Sequence, residues 1–152
     1  MELNGTYELN LPPEVVWSAL FDAETLASAI PGCERLEQTA ENAFSATVRL
    51  KIGPVSAKFN GEVELSEMIA PQSCLLSGKG SGGIAGFAKG SARLNLAPRD
   101  GGTMLTYTAD AALGGKLAAL GSRLIQSTTN KLANEFFSRF SEVLNNRANQ
   151  SA

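Results

Sequence analysis

The sequence predicts an α+β fold: a curved, seven-stranded antiparallel sheet around one long C-terminal helix, with two short helices after the first strand. Three observations carry this. Leu117, Leu120, Leu124, Thr128, Leu132, Phe136, Phe140 and Val143 recur every three or four residues and draw one apolar stripe down a helix over 115–146. Such a helix is about 45 Å long and needs a surface to lie against. Ahead of it, apolar and polar residues alternate in segment after segment, the period of half-buried strands. The segments are joined by short turns, which pair strands antiparallel.

Residues 2–11 form the first strand, with Leu3, Gly5, Tyr7, Leu9 and Leu11 on one face. Pro12-Pro13 ends it, and Pro13 suits the first turn of a helix over 13–21 that buries Val16, Trp17 and Leu20. Asp22 caps a second short helix over 23–30 carrying Leu26 and Ile30, and Pro31-Gly32 stops it. A strand follows near 33–39. The next has Phe44, Ala46, Val48, Leu50 and Ile52 on one face. Across Gly53-Pro54 the parity switches to Val55, Ala57, Phe59, Gly61, Val63 and Leu65, as in a hairpin with one buried face. Strands at 72–80 and at 87–97, the latter ended by Pro98, precede the turn Asp100-Gly101-Gly102. The last strand presents Thr103, Leu105, Tyr107, Ala109, Ala111 and Leu113 inward, and Gly114-Gly115 breaks it before the helix. The chain reads as a single domain over 1–146 with a short, frayed polar tail at 147–152.

With 152 residues, 43% of them hydrophobic and 18% charged, the chain can bury one real core. A net charge of −2 gives no basic field for nucleic acid. No run is long and apolar enough to cross a bilayer and the N-terminus is no signal peptide, so a cytoplasmic location is expected. Cys33 and Cys74 form no CxxC motif, and neither a disulfide framework nor a metal site is expected. The chain has no histidine, which removes the commonest general base and metal ligand.

The inward positions are uneven in size. Cys74, Leu76, Gly78, Gly80, Ala88, Gly90, Ala92, Leu94 and Leu96 face inward on the two strands before the last, opposite Ala46, Ala57 and Gly61, with Gly121 on the helix. Glycine weakens an element interior, so it marks either close backbone packing or room for a ligand. On the second reading Phe44, Val48, Phe59, Leu76, Leu94 and Tyr107 wall an apolar cavity, together with Leu117 and Leu124 from the helix. Tyr107 is either an anchor for a ligand's polar atom or a core tyrosine, and Thr128 and Asn130 are the other polar groups in reach. The glycine-rich stretch 78–87 lacks the strand-to-helix setting of a phosphate loop. It reads as a hairpin tip carrying Ile84 and Phe87: a lid, a contact for membrane or partner, or a plain turn. If it is a plain turn, the entrance lies near Leu26 and Ile30.

Several segments carry a resemblance: MELNG at 1–5, PPEVVW at 12–17, IPGCE at 30–34, KIGPVSAKFNGEVELS at 51–66, SGKGSGGIAGFAKGSA at 77–92, LTY at 105–107 and GGKLAALGSRLI at 114–125. Through them the chain resembles the CoxG family, named for a subunit of carbon monoxide dehydrogenase. That family lies within the START / polyketide-cyclase-like (SRPBCC) superfamily, which has the helix-grip fold. The resemblance implies a non-enzymatic accessory protein with a pocket for a lipid-like molecule such as a quinone. It also implies help to a molybdenum-containing dehydrogenase at the inner face of the cytoplasmic membrane. No other cofactor is implied. Because the tail is polar, contact with the membrane is expected to be transient. Two other readings stand beside this one: a cyclase or aromatase, which would need polar groups in the cavity, and an interaction module whose helix fills the sheet and leaves no cavity.

Overall fold

The computed structural model describes residues 1–151, with side chains through Ala148. The expected architecture is the one observed. Strand β1 (Glu2–Leu9) leads into helices α1 (Pro13–Leu20) and α2 (Ala23–Ala29). Strands β2 (Cys33–Ala40), β3 (Ala43–Ile52), β4 (Val55–Ile69), β5 (Ser73–Ser81), β6 (Phe87–Arg99) and β7 (Gly102–Gly114) follow, with a 3-10 turn at Gly83–Ala85 between β5 and β6. The helices α3 (Lys116–Ala119) and α4 (Ser122–Ser151) complete the chain. All seven strands form one antiparallel sheet in the order β1-β7-β6-β5-β4-β3-β2.

Local chemistry accounts for the boundaries. Asp22 accepts hydrogen bonds from the Thr25 backbone N–H at 3.1 Å and from the Thr25 hydroxyl at 2.7 Å, capping α2. The β3–β4 hairpin closes with Ile52 opposite Val55, and Gly53 takes the positive φ of +58° that such a two-residue turn needs. The β6–β7 hairpin closes the same way over Asp100 and Gly101, so β6 runs through Pro98 to Arg99 instead of stopping before it.

The long helix differs from expectation. It breaks after one turn, at Leu120-Gly121, where Gly121 has φ +87°. The break re-phases the helix, so Ile125 and Leu144 are buried while Leu124 and Val143 are only half-buried. α4 also continues past Asn146 as far as Ser151, so the segment expected as a frayed tail is helical there; Ala152 lies outside the described residues.

The two halves of α4 are packed differently. The distal half is seated in the main core, where Phe140 and Leu144 meet Val16, Ala19 and Leu20 of α1, Ala29 of α2, and Leu94, Leu96 and Leu105 of the sheet. Phe140 is fully buried, 5.6 Å from Phe136 and 6.4 Å from Phe137 between ring centroids. A second, smaller cluster lies at the other end, where Phe59, Ala85 and Leu117 join β4, the 3-10 turn and α3.

Candidate functional site

Between the proximal half of α4 and the sheet lies a partly open cavity of about 320 Å³. Strand register explains the space. One row across the sheet reads Leu113, Ala88, Gly80, Gly61 and Ala46, paired in that order across β7, β6, β5, β4 and β3. The three middle residues of that row are alanine or glycine, so the floor is bare backbone and methyl groups. Val48, Leu50, Ile52 and Phe59 rise along one side, and Met1 and Leu3 along the other. The helices roof it with Leu117, Ile125, Thr128, Thr129 and Leu132.

The wall is carbon almost throughout, and none of the lining residues has a titratable side chain. The Met1 α-amine is turned away into contacts with the Asp110 carboxylate at 3.3 Å and the Ala111 carbonyl at 3.0 Å. Ion pairs such as Glu34 with Arg49 and Lys58 lie among exposed side chains, where the two cations hold the Glu34 carboxyl below its ordinary range. Among the described residues no group of histidine, cysteine or carboxylate side chains could hold a metal, and no helix is long and apolar enough to cross a membrane.

Of the residues expected at the site, Val48, Phe59 and Leu117 line the cavity, as do the small inward residues Ala46, Gly61, Gly80 and Ala88. The others lie elsewhere, each for a visible reason. Leu94 belongs to the main core, and Leu76 packs against it. Phe44, Gly78 and Gly90 share the next row over, where Val63 sits between Phe44 and Gly78. A side chain at Gly90 would run into the Asp110 backbone carbonyl, so this glycine serves close strand packing. Leu124 caps the β3–β4 turn, where a Cβ on Gly53 would come within 2.6 Å of its Cδ2. Gly121 sits at the helix break in open space, and its role is conformational. Leu26 and Ile30 are half-buried at α2, which packs on α4 and β2 away from the lining.

Tyr107 is not a cavity anchor either. Its ring lies over Gly5, where a Cβ would come within 2.6 Å of it, and packs on the main core beside Tyr7. Tyr7 stacks on Phe137 at 4.1 Å and donates its hydroxyl to Asn134 Oδ1 at 2.7 Å. Burial raises both phenols above their ordinary range, and for Tyr7 the neighbouring Tyr107 adds to it. Asn130 lies with Lys131 and Asn134 along a polar groove of α4, apart from the cavity. Leu132 and Thr128 line the cavity from the expected stripe, and Thr129 is the harder residue to place from sequence, because the helix break shifts the inward face.

At the tip, Ile84 is 86% exposed, while its neighbour Ala85 is buried against Phe59 and Leu117 beside the cavity. Phe87 is half-exposed, and its ring lies across Gly114 on the neighbouring strand instead of extending with Ile84.

A family model described as the CoxG subunit of carbon monoxide dehydrogenase matches residues 5–145. The crystal structure of a conserved protein from Geobacillus kaustophilus is similar over 96% of this chain and 96% of its own, at 33% identity and a TM-score of 0.90. A Thermus thermophilus protein is similar over 95% of this chain and 97% of its own, at 17% identity and a TM-score of 0.70. An aromatase/cyclase from a Streptomyces species is similar over 97% of this chain and 95% of its own, at 12% identity and a TM-score of 0.70. At such identities the last two likenesses concern the fold alone. No curated protein matches the chain.

Proposed function

The chain belongs to the CoxG family of carbon monoxide dehydrogenase, and on that premise we propose that it is a non-enzymatic carrier. It holds a neutral, hydrophobic, lipid- or quinone-like molecule between sheet and α4, and serves a molybdenum-containing dehydrogenase at the inner face of the cytoplasmic membrane. The observation that carries this reading is the cavity itself. Its volume of about 320 Å³ lies within the range of small-molecule pockets, and its wall is apolar. General acid–base catalysis needs a titratable group within reach of the substrate, and the lining residues offer no such side chain. That favours carriage over cyclase chemistry. Ile84, at 86% exposure beside the cavity end, is the residue through which the protein touches a membrane or partner. Its full burial gives about 1.5–3 kcal/mol, enough for transient contact but not for anchoring.

The test is direct. The purified protein is extracted with solvent and the extract analysed by mass spectrometry, and the stripped protein is titrated with the neutral dye N-phenyl-1-naphthylamine. One apolar molecule per chain is expected in both measurements. The double variant Ala46→Leu with Ala88→Leu, which fills the floor, should bind the dye at least tenfold more weakly while keeping its circular dichroism spectrum. Unchanged dye binding by the folded double variant would refute the cavity as the carrier site.

A further inference from the structure

We propose that the cavity measures a hydrocarbon chain, on the order of twelve carbons long, and leaves the polar end of its ligand outside. The inference rests on the carrier reading above and specifies which part of the cargo is held. The wall offers a ligand no charged side chain and is carbon almost throughout. A carbonyl, hydroxyl or carboxylate pushed inside would give up its hydrogen bonds to water and find no replacement. The polar end therefore stays at the mouth.

The floor is long enough for an extended chain. The floor crosses five neighbouring strands from Ala46 to Leu113, which at strand spacing is about 19 Å. Volume sets the length. An apolar cavity of about 150 Å³ takes up benzene, which has six carbons, so the same packing puts about twelve carbons here. The chain would lie on the bare backbone of Gly61 and Gly80, and Leu117 would close one end.

The experiment displaces N-phenyl-1-naphthylamine from the stripped protein with straight-chain 1-alkanols of six to sixteen carbons, and with the methyl ketones and carboxylates of matching length. Each added methylene should tighten binding about fourfold, since burying one is a fixed apolar increment. The gain should stop near twelve carbons. Slope and break point should be the same for the three head groups. Ala46→Leu should move the break about three carbons shorter without changing the slope below it, because it adds three carbons to the floor.

Two results would overturn the proposal while leaving the carrier reading intact: affinity flat with chain length, or a preference of more than tenfold for one head group. Failure of the dye itself to bind the stripped protein would overturn both.

Discussion

Replacing Ala88 by leucine tests whether the space under α4 exists in solution, because the sign of the stability change depends on it. Ala88 sits inward on β6, between Gly80 and Leu113, on the cavity floor. Leucine adds three carbons, and at about 0.8 kcal/mol each their burial is worth roughly 2.4 kcal/mol. Ordering the longer side chain costs about 0.5–1 kcal/mol. The ligand-free protein should therefore gain about 1.5 kcal/mol, which for a chain of this size raises Tm by about 3–6 °C. If the helix instead rested directly on the floor, the same leucine would overpack the interior and cost about 1–3 kcal/mol. Urea unfolding of solvent-stripped protein measures the change, with an unchanged m-value as the check on two-state behaviour. Stripping matters because bound cargo stabilises the folded state by mass action. Gly90→Leu is the control. It lies one row away, where a side chain meets the Asp110 backbone carbonyl, and it should destabilise the fold. A loss above about 1 kcal/mol for Ala88→Leu would refute the cavity and the argument built on it.

Phe140→Ala should lower stability by about 3–5 kcal/mol in the same assay, since the ring is fully buried in the main core; a loss below about 1 kcal/mol would mean the ring is not core. Gly121→Ala should cost about 1–2 kcal/mol, because alanine is strained at φ +87°; a continuous helix there would instead make alanine stabilising by about 1 kcal/mol. Hydrogen bonds from Thr25, with Arg147 adding to them, hold the Asp22 carboxyl below its ordinary range against the opposing effect of burial. A lowered folded-state value gives stability that is present at neutral pH and lost as pH falls through that value. Asp22→Ala should thus cost about 1 kcal/mol at pH 7 and progressively less in acid, as urea midpoints across pH will show. Ile84→Ser should leave the urea midpoint unchanged, since the side chain touches little, while slowing dye transfer from loaded protein to lipid vesicles; transfer at the wild-type rate would make the tip a plain turn.

Much of this fold was legible because strand parity is a strict rule. Alternation placed Ala46, Val48, Phe59, Gly61, Gly80 and Ala88 on one face, and the register then gathered them around one space. Parity assigns a face but not a row, which is why alternation groups Leu94, Gly78 and Gly90 with the cavity although they lie off it. The row depends on where each hairpin turns and on the bulges between strands, and neither is set by alternation. Tyr107 misled for a different reason: its place is decided by a glycine on a neighbouring strand, Gly5, distant in sequence. Gly121 looked like one more small inward residue. Its positive φ, invisible in composition, breaks the helix and turns Thr129 toward the space beside the expected Thr128 and Leu132.

The unequal packing of α4 bears on how such a fold can diverge. Its solid end, around Phe140 and Leu144, is closed by α1, α2 and the sheet, and none of these residues lines the cavity. Its hollow end rests on a floor of glycine and alanine whose side chains hold nothing else in place. Changes there alter the volume and outline of the space without touching the contacts that keep the chain folded. Single substitutions at Ala46, Gly61, Gly80 or Ala88 therefore act first on the size of the space. One scaffold can give rise to a graded set of containers before anything in its foundation has to change.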